Sequence, residues 1–411
     1  MVPEGWKKKT FGCVTRIANG QVDPNEEPYL SMPHIGPENV VPNSGQLIKV
    51  KNCKELGLIS GKYEFDENAI VYSKIRPNLN KVCKPSFKGV CSADMYPIWG
   101  LPEQLNSDYL LHYMLGPSFY KVAVAMSMRT GMPKINRNDL NAIKILLPSL
   151  TEQKKIAQIL STWDKAITTT ERLLANSQQQ KKALMQQLLT GKKRLLDENG
   201  VRFSGKWKKY KLNNIGETFS GLSGKSKSDF GKGTPYIPYK NIFKNSRIDL
   251  EELDYVQVNE GERQSAVKFG DIFFTTSSEI IDEVGMSSVL LDEAETLYLN
   301  SFCFGFRLND FEVLTPQFAE HLLRSESSRR KISKLGQGAT RYNLSKKQLT
   351  NLEFEIPPIN EQIKIASVLS NADTIIGQVS KQITRLKSEK KALMQQLLTG
   401  KRRVKIDEDA A

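Results

Sequence analysis

The sequence contains few of the residue combinations that hold metals or form disulfides. Its three histidines are scattered, and none of them pairs with a cysteine at the spacing of a zinc site. Its five cysteines include no CxxC pair and are odd in number, which favours reduced thiols over a disulfide framework. We therefore expect no metal centre and no disulfide scaffold.

Long apolar segments are also missing. No apolar run approaches the roughly 20 residues that a membrane helix needs. The opening residues, MVPEGWKKKT, are basic but are not followed by the apolar core of a secretory signal. Together with the reduced thiols, these features predict a cytoplasmic protein that does not enter a membrane.

Motifs for nucleotide or methyl-group chemistry are incomplete. The segment GLSGKSKS resembles a P-loop, but Phe219 stands where the first glycine of that motif is needed. The chain has no (Asp/Asn)-Pro-Pro-aromatic tetrad of an amino-methyltransferase and no glycine-rich cofactor loop after a strand. We expect a chain that is not an enzyme, with no catalytic residue and no bound cofactor of its own.

The chain has fewer acidic than basic residues. The 59 lysines and arginines outnumber the 45 aspartates and glutamates, so the net charge is +14. A net positive charge of this size favours binding to a polyanion. The hydrophobic fraction of 39% is high enough for packed cores and excludes a disordered chain.

The chain contains a long internal repeat. The segment KKALMQQLLTGK occurs at residues 181–192 and again, 209 residues later, at 390–401. Without a gap, the match extends back to Glu152-Gln153 and Glu361-Gln362. Upstream of these segments the two halves diverge, and only landmarks such as Trp6 and Trp207 correspond. The repeat therefore predicts two copies of one unit, each a variable module followed by a near-constant segment.

The constant segments are predicted to be long helices. Neither has a proline between its Glu-Gln and its Thr-Gly, and apolar residues recur at alternating intervals of four and three. This stripe comprises Ile156, Leu160, Trp163, Ile167, Leu174, Leu184 and Leu188 in the first copy, and Ile365, Leu369, Ile376, Val379, Ile383, Leu386, Leu393 and Leu397 in the second. The matching lysines Lys181 and Lys390 interrupt it, and a charge at such a position can fix the register of a coiled coil.

Two arrangements of these helices are open. A generic coiled coil would serve only to dimerise the protein. Because both helices belong to one chain and a whole module connects them, they can instead pair with each other in antiparallel fashion, which would relate the modules by a pseudo-twofold axis. We expect Thr151 and Asn360 to cap the helices, and Gly191 and Gly400 to end them.

The variable modules alternate short strand-like runs with turn signals, and each has a helical segment near its end. The predicted fold class is α+β, with two α/β modules separated by two long antiparallel helices. Residues able to bind phosphates or base edges mark the candidate DNA contacts. In the first module they are Ser31, His34, Ser73, Lys74, Arg76, Arg129, Lys134 and Asn136. In the second they are Lys225, Lys227, Lys232, Tyr236, Tyr239, Lys240, Asn241, Thr340, Arg341, Tyr342 and Asn343.

The order of these parts resembles the specificity subunits of type I restriction-modification enzymes. The resemblance covers essentially the whole chain and is carried by PSLTEQKKIA, PPINEQIKIA and the two LMQQLLTGK segments. It implies target recognition domains at 1–150 and 193–357, conserved spacer helices at 151–192 and 358–401, and a basic then acidic tail at 402–411. Each recognition domain would read one half of a bipartite, asymmetric DNA target, and the helices would set the spacer between the halves.

The resemblance also implies partners. A pair of modification subunits would methylate adenine with S-adenosylmethionine, and restriction-translocation subunits would use ATP and Mg²⁺. A specificity subunit of a related system, in which nuclease and methyltransferase share one polypeptide, is an alternative. A coiled-coil scaffold with two modules that bind something other than DNA is a third reading, but it leaves the positive charge unexplained.

Overall fold

The structure is a computed structural model and describes residues 2–128 and 133–405. The chain divides into two compact units, one formed by residues 1–171 with 381–411 and the other by residues 172–380. The boundary therefore falls inside both long helices. Each unit combines one module with parts of both helices. The sequence-based boundaries at residues 150, 192 and 357 instead separate the modules from the helices.

The helices and strands of the first half are short apart from the long helix that ends it. The strands are β1 Lys7–Thr10, β2 Thr15–Ile17, β3 Pro33–Ile35, β4 Lys51–Asn52, β5 Tyr63–Phe65, β6 Ile70–Ser73, β7 Val82–Cys83, β8 Gly89–Cys91, β9 Met95–Gly100 and β10 Lys144–Leu147. The helices are α1 Cys53–Leu56, α2 Ser107–Leu115, α3 Pro117–Ser127, α4 Arg137–Ala142 and α5 Leu150–Leu188.

The second half follows the same plan. Its strands are β11 Lys208–Lys211, β12 Gly216–Ser220, β13 Phe230–Ile237, β14 Asp254–Val256, β15 Ile272–Thr275, β16 Ser277–Ser278, β17 Ser287–Val289, β18 Tyr298–Leu299, β19 Cys303–Leu308, β20 Tyr342–Asn343 and β21 Glu353–Ile356. Its helices are α6 Tyr239–Lys244, α7 Pro316–Arg324, α8 Glu326–Ser333, α9 Lys346–Thr350 and α10 Ile359–Leu397.

Corresponding sheets occur in both modules. The order β2-β9-β6-β7 in the first module matches β12-β19-β15-β17 in the second, and both sheets are antiparallel. A second sheet contains one parallel pair in each module, β3 with β8 and β13 with β18. The strand before each long helix pairs with the first strand of its module, β10 with β1 and β21 with β11. The α+β prediction and the duplication are confirmed.

The long helices are confirmed, and every residue of the predicted stripe is buried or half-buried. They end as expected, because Gly191 and Gly400 each adopt a left-handed backbone with φ of +68°. Their predicted starts are wrong. The helices begin at Leu150 and Ile359, so Thr151 and Asn360 lie inside the first turn, and the hydroxyl of Ser149 accepts from the backbone N–H of Glu152 at 3.3 Å.

Each apolar core joins the beginning of one long helix to the end of the other. In the first unit, Ile156 and Leu160 of α5 share a core with Leu397 of α10 and with the module. In the second unit, Leu188 of α5 shares a core with Ile365 of α10 and with the other module. The helical segments within each unit therefore run antiparallel.

The repeated Glu-Gln pair fastens each module to its helix. Within the second unit, the side-chain amide of Gln362 donates to the carbonyls of Val313 and Pro357, both at 2.8 Å, and accepts from the backbone N–H of Thr315 at 2.9 Å. In the first unit, Gln153 makes the corresponding contacts with Gln104, Pro148 and Asn106. This explains why glutamine follows glutamate in both copies.

The adjacent glutamate holds the segment that follows the end of the other helix. The carboxylate of Glu361 accepts from the guanidinium of Arg194 and, at 3.3 Å, from the indole N–H of Trp207. In the first unit, Glu152 accepts from Arg403 at 2.7 and 2.9 Å and from Trp6 at 3.2 Å. The Trp6 and Trp207 landmarks of the sequence thus have the same role.

A second repeated contact is a polar cluster between a module helix and both long helices. The first polar cluster consists of His112, Ser161, Asp164 and Lys390, and the second of His321, Ser370, Asp373 and Lys181. In each, the histidine Nε2 lies beside the serine hydroxyl, at 3.1 Å in the first and 3.2 Å in the second. The lysine pairs with the aspartate. Lys181 and Lys390, which interrupt the apolar stripe, therefore each have a carboxylate partner.

Loss of the Gln362 side chain should destabilise the second unit. Replacing Gln362 by leucine leaves one buried carbonyl, one half-buried carbonyl and a buried N–H without partners, so we expect the unfolding free energy to fall by about 3 kcal/mol. Urea unfolding monitored by fluorescence measures this. Lys364→Leu, at an exposed position of the same helix, is the matched control, and equal stability of the two variants would contradict the assignment.

The stability of the protein should fall as the solution becomes acidic. Burial, aided by the nearby lysine, lowers the pKa of His112 to about 3 and that of His321 to about 4. The unfolded chain takes up protons below a pKa of about 6.5, whereas the folded chain does not, so each histidine should cost about 2 kcal/mol between pH 7 and pH 5.

The measurement is urea unfolding at both pH values. His112→Gln should reduce the loss of unfolding free energy by the share of one histidine, while Cys13→Ser, at an exposed position, should leave it unchanged. Burial raises the pKa of Asp164 and of Glu320 and so acts in the opposite direction at lower pH, which is why the range stops at pH 5. An unaltered pH dependence in His112→Gln would refute the explanation.

Candidate nucleic-acid interface

An exposed turn of the second module is held against strand β16. Ser277 pairs with Asn343 and Ser278 with Tyr342. The backbone N–H of Gln337 donates to the carbonyl of Asn343 at 3.0 Å, and the N–H of Asn343 donates back at 2.8 Å. Residues 337–341 lie at the surface, so the pairing presents Thr340 and Arg341 on a braced turn.

The start of helix α6 lies next to this turn. The hydroxyl of Tyr239 donates to the carbonyl of Ser277 at 2.9 Å, and its ring stacks on Phe243. Burial raises the pKa of Tyr239, and the charge of Arg341 opposes the shift. We define the second recognition patch as Tyr239, Lys240, Thr340, Arg341 and Asn343.

The first module brings together the corresponding segments. Ile75 forms a bridge with Lys134, the backbone N–H of Arg76 donates to the carbonyl of Pro133 at 2.9 Å, and that of Ile135 donates to the carbonyl of Lys74 at 2.9 Å. The segment after β6 is thereby joined to the segment before α4, as β16 is joined to β20 in the second module. Arg76 and Lys134 are exposed.

Two aromatic rings add a feature that sequence reasoning missed. The Lys74 ammonium lies 5.4 Å from the ring centre of Tyr96, and the Arg137 guanidinium lies 5.0 Å from the same ring. Arg137 also lies 5.8 Å from the ring centre of Tyr63. Arg137 directly follows the predicted contact Asn136, and this position is the signal by which the sequence could have identified it. We define the first recognition patch as Lys74, Arg76, Lys134 and Arg137.

Several sequence-predicted contacts lie in the interior or have other partners. Asn241 is fully buried, and its amide donates to the carbonyls of Asp249 and Glu252. The Lys225 ammonium pairs with Glu262 and is 4% exposed, and the Asn136 side chain caps helix α4. Also buried are His34, Ser73 and Tyr236. Burial leaves Asn241, Lys225, His34, Ser73 and Tyr236 no surface on which to meet DNA, and the exposed Asn136 is occupied as a helix cap, so none of them belongs to the recognition patches.

The remaining candidates are not members of the patches, although Tyr342 lies between Arg341 and Asn343 of the second patch. Lys227 and Lys232 are exposed before and on β13, and the hydroxyl of Ser31 donates to the carboxylate of Glu27 at 2.6 Å. Tyr342 is half-buried in β20. Arg129 lies outside the described residues.

One group could offer metal ligands among residues 2–128 and 133–405. Ligand atoms of Glu320, His321 and Asp373 lie within 4.8 Å of one another. The Lys181 ammonium already pairs with Asp373, and Glu320 accepts from the hydroxyl of Ser246 at 2.8 Å. The Lys181 ammonium therefore supplies the positive charge that a metal ion would bring to these carboxylates.

The helices that the structure describes do not include a candidate for a membrane span. In residues 2–128 and 133–405, none combines the length and the apolar character that spanning a bilayer requires.

Curated proteins similar to this chain carry a consistent description. The Type I restriction enzyme EcoDI specificity subunit of Escherichia coli is 34% identical over 176 residues, which is 43% of this chain and 38% of that subunit. The Type I restriction enzyme MjaVIII specificity subunit of Methanocaldococcus jannaschii is 27% identical, over 98% of this chain and 94% of that subunit. The chain thus spans well under half of the first relative and nearly all of the second.

Solved structures share the fold. The HsdS subunit from Thermoanaerobacter tengcongensis is 19% identical and aligns over 97% of this chain and 98% of that one, with a TM-score of 0.51. The S subunit of a Type-I restriction-modification system from M. genitalium is 15% identical and aligns over 95% and 96%, with a TM-score of 0.58.

The family assignment rests on both halves of the chain. The family model for the type I restriction modification DNA specificity domain matches residues 3–176 and again residues 204–387. The two matches begin close to the starts of the two modules and extend well into α5 and α10. Because they cover most of the sequence, this chain belongs to the family of type I restriction modification DNA specificity domains.

Proposed function

We propose that this chain is the DNA specificity subunit of a type I restriction-modification enzyme and performs no catalysis itself. Each module reads one half of a bipartite, asymmetric target. The observation that carries the proposal is the double family match, because each match contains one module with a braced, exposed recognition patch. Nothing in the chain favours a fused nuclease-methyltransferase system or a scaffold that does not bind DNA.

The chemistry of the patches supports DNA recognition. Lysine and arginine bind phosphates, and arginine or asparagine can form paired hydrogen bonds with guanine or adenine edges. Arg76 in the first patch and Arg341 with Asn343 in the second are exposed and supply these groups. The patches differ in composition, so the two half-sites differ in sequence.

The catalytic groups belong to partners under this proposal. A pair of modification subunits binds S-adenosylmethionine and methylates adenine, and restriction-translocation subunits use ATP and Mg²⁺. Helices α5 and α10 set the number of unspecified base pairs between the half-sites. The net charge of +14 supplies the attraction for DNA that is independent of sequence.

Adenine-methylation mapping tests the proposal. In cells that express this chain with its modification subunit, we expect one bipartite motif with one spacer, and none when this chain is omitted. Replacing residues 1–150 by the module of another family member should change one half-site and leave the other intact. A change in both half-sites, or no motif with the parent chain, would refute the proposal.

Loss of Arg341 should weaken one half-site. Because Arg341 is exposed on the braced turn, Arg341→Ala should reduce affinity for the target about tenfold to a hundredfold while leaving the fold intact. Binding is measured by fluorescence anisotropy of the assembled methyltransferase at fixed salt. Arg385→Ala, on an exposed face of α10, is the matched control for the loss of one positive charge. Equal affinities of the two variants would exclude Arg341 from the interface.

A further inference from the structure

The apolar stripe of the long helices gives weak control over how they are aligned. On α10, the residues Val379, Leu386 and Leu393 succeed one another at intervals of seven, and Leu160, Ile167 and Leu174 do so on α5. Aliphatic side chains of similar size replace one another in a core at small cost. A shift of one helix along the other by seven residues would therefore still match apolar residue to apolar residue.

The two polar clusters behave differently under such a shift. In the first cluster, Lys390 of α10 pairs with Asp164 of α5. A seven-residue shift in either direction would place Asp164 opposite Ile383 or Leu397 instead. Because these side chains cannot neutralise or hydrogen-bond a carboxylate, the shifted alignment would leave a charge without a partner.

The second cluster repeats the constraint with the helices exchanged. Lys181 of α5 pairs with Asp373 of α10. The same shifts would place Asp373 opposite Leu174 or Leu188. They would also place Lys181 opposite Ala366 or Ser380, so the second cluster disfavours both directions. In the first cluster, the shift that places Asp164 opposite Leu397 brings Lys390 opposite Glu171, and only Asp164 loses its partner.

Because the lysines and histidines of the two clusters are largely buried, water cannot easily replace the partner of each lysine. The side chains of His112 and His321 are 1% exposed and those of Lys390 and Lys181 are 11% and 18% exposed, whereas those of Asp164 and Asp373 are 36% and 38% exposed. The cost of losing a partner therefore falls mainly on the lysines. In the first cluster the histidine Nδ1 lies 3.9 Å from the aspartate, and in the second 4.0 Å. Each cluster thus joins three elements, because the histidine comes from the module helix α2 or α7.

Other charged contacts leave the alignment less constrained. Arg194 and Arg403 follow the ends of α5 and α10 and pair with buried glutamates in the first turn of the other helix, so they tie the helix ends together, but through segments that are not themselves helical. Lys387 and Glu171 pair between the helices, but their side chains are 56% and 34% exposed. An exposed pair contributes little and is easily exchanged for water.

We propose that the two polar clusters are positioning residues that select one alignment of α5 with α10, and thereby restrict the enzyme to one spacer length. The inference about the spacer rests on the proposed function. Seven residues of helix correspond to about 10 Å, or about three base pairs of B-DNA. Without the clusters, targets with a spacer altered by about that amount become acceptable.

The test removes the charges and keeps the helices apolar. One variant carries Asp164→Leu, Lys390→Met, Asp373→Leu and Lys181→Met. The control carries Glu171→Leu and Lys387→Met, which removes the exposed pair between the same helices. A further variant, Asp164→Lys with Lys390→Asp, restores the first pair with its charges exchanged and shows that the site tolerates substitution.

Methylation mapping gives the first readout. We expect the fourfold variant to methylate the same two half-sites at additional spacers, with discrimination against them reduced at least about tenfold, because the shifted alignment no longer leaves a charge without a partner. The control and the charge-exchanged variant should keep the single spacer. A single spacer with unchanged discrimination in the fourfold variant would overturn the proposal.

A second readout does not depend on DNA. Spin labels on cysteines that replace the exposed Lys165 and Lys391, in a chain with Cys13→Ser, report the alignment within the first unit. We expect one distance in the parent chain and a second population in the fourfold variant. One unchanged distance would overturn the alignment role, whereas a second population without any bipartite methylation by the parent chain would refute only the proposed function.

Discussion

Each module of this protein depends on the burial of the start of one long helix together with the end of the other. Ile156 and Leu160 share a core with Leu397, and Ile365 shares one with Leu188, so neither core can be completed by residues that are consecutive in sequence. Apolar burial supplies the driving force, but it does not choose among similar alignments. The specificity has to come from groups that tolerate only one partner.

Those groups are the repeated polar contacts. Gln153 and Gln362 satisfy backbone groups of their modules, Glu152 and Glu361 collect an arginine and an indole, and the histidine clusters join three elements. Directional hydrogen bonds and buried ion pairs fail when a partner moves by a few ångströms, whereas apolar contacts adapt. This difference connects the Glu-Gln and Lys positions, which occur in both copies of the repeat, to a recognition function that depends on spacing.

The candidate DNA interface follows a different principle. In both modules, a segment after a central strand pairs with the segment before a short helix, and the pairing holds exposed cationic side chains on a firm support. The backbone arrangement is shared, but the side chains differ: Lys74 and Arg137 lie over the ring of Tyr96 in one module, and the other has Arg341 exposed on the turn and Tyr239 bonded to Ser277. Such an arrangement allows the sequence that is read to change without changing the fold.

The sequence by itself determined the duplication, the α+β class, the two long helices and their apolar stripe, because periodicity and repetition are local properties that need no knowledge of contacts. It also identified Lys181 and Lys390 as interruptions, although not their partners, since Asp164 and Asp373 are about 200 residues away along the chain. Which candidate side chains reach the surface was decided only by tertiary structure. Asn241 and Arg341 are equally plausible as DNA contacts in sequence, but the first is enclosed by backbone carbonyls and the second lies on an exposed turn, because burial depends on what the rest of the chain places around each residue.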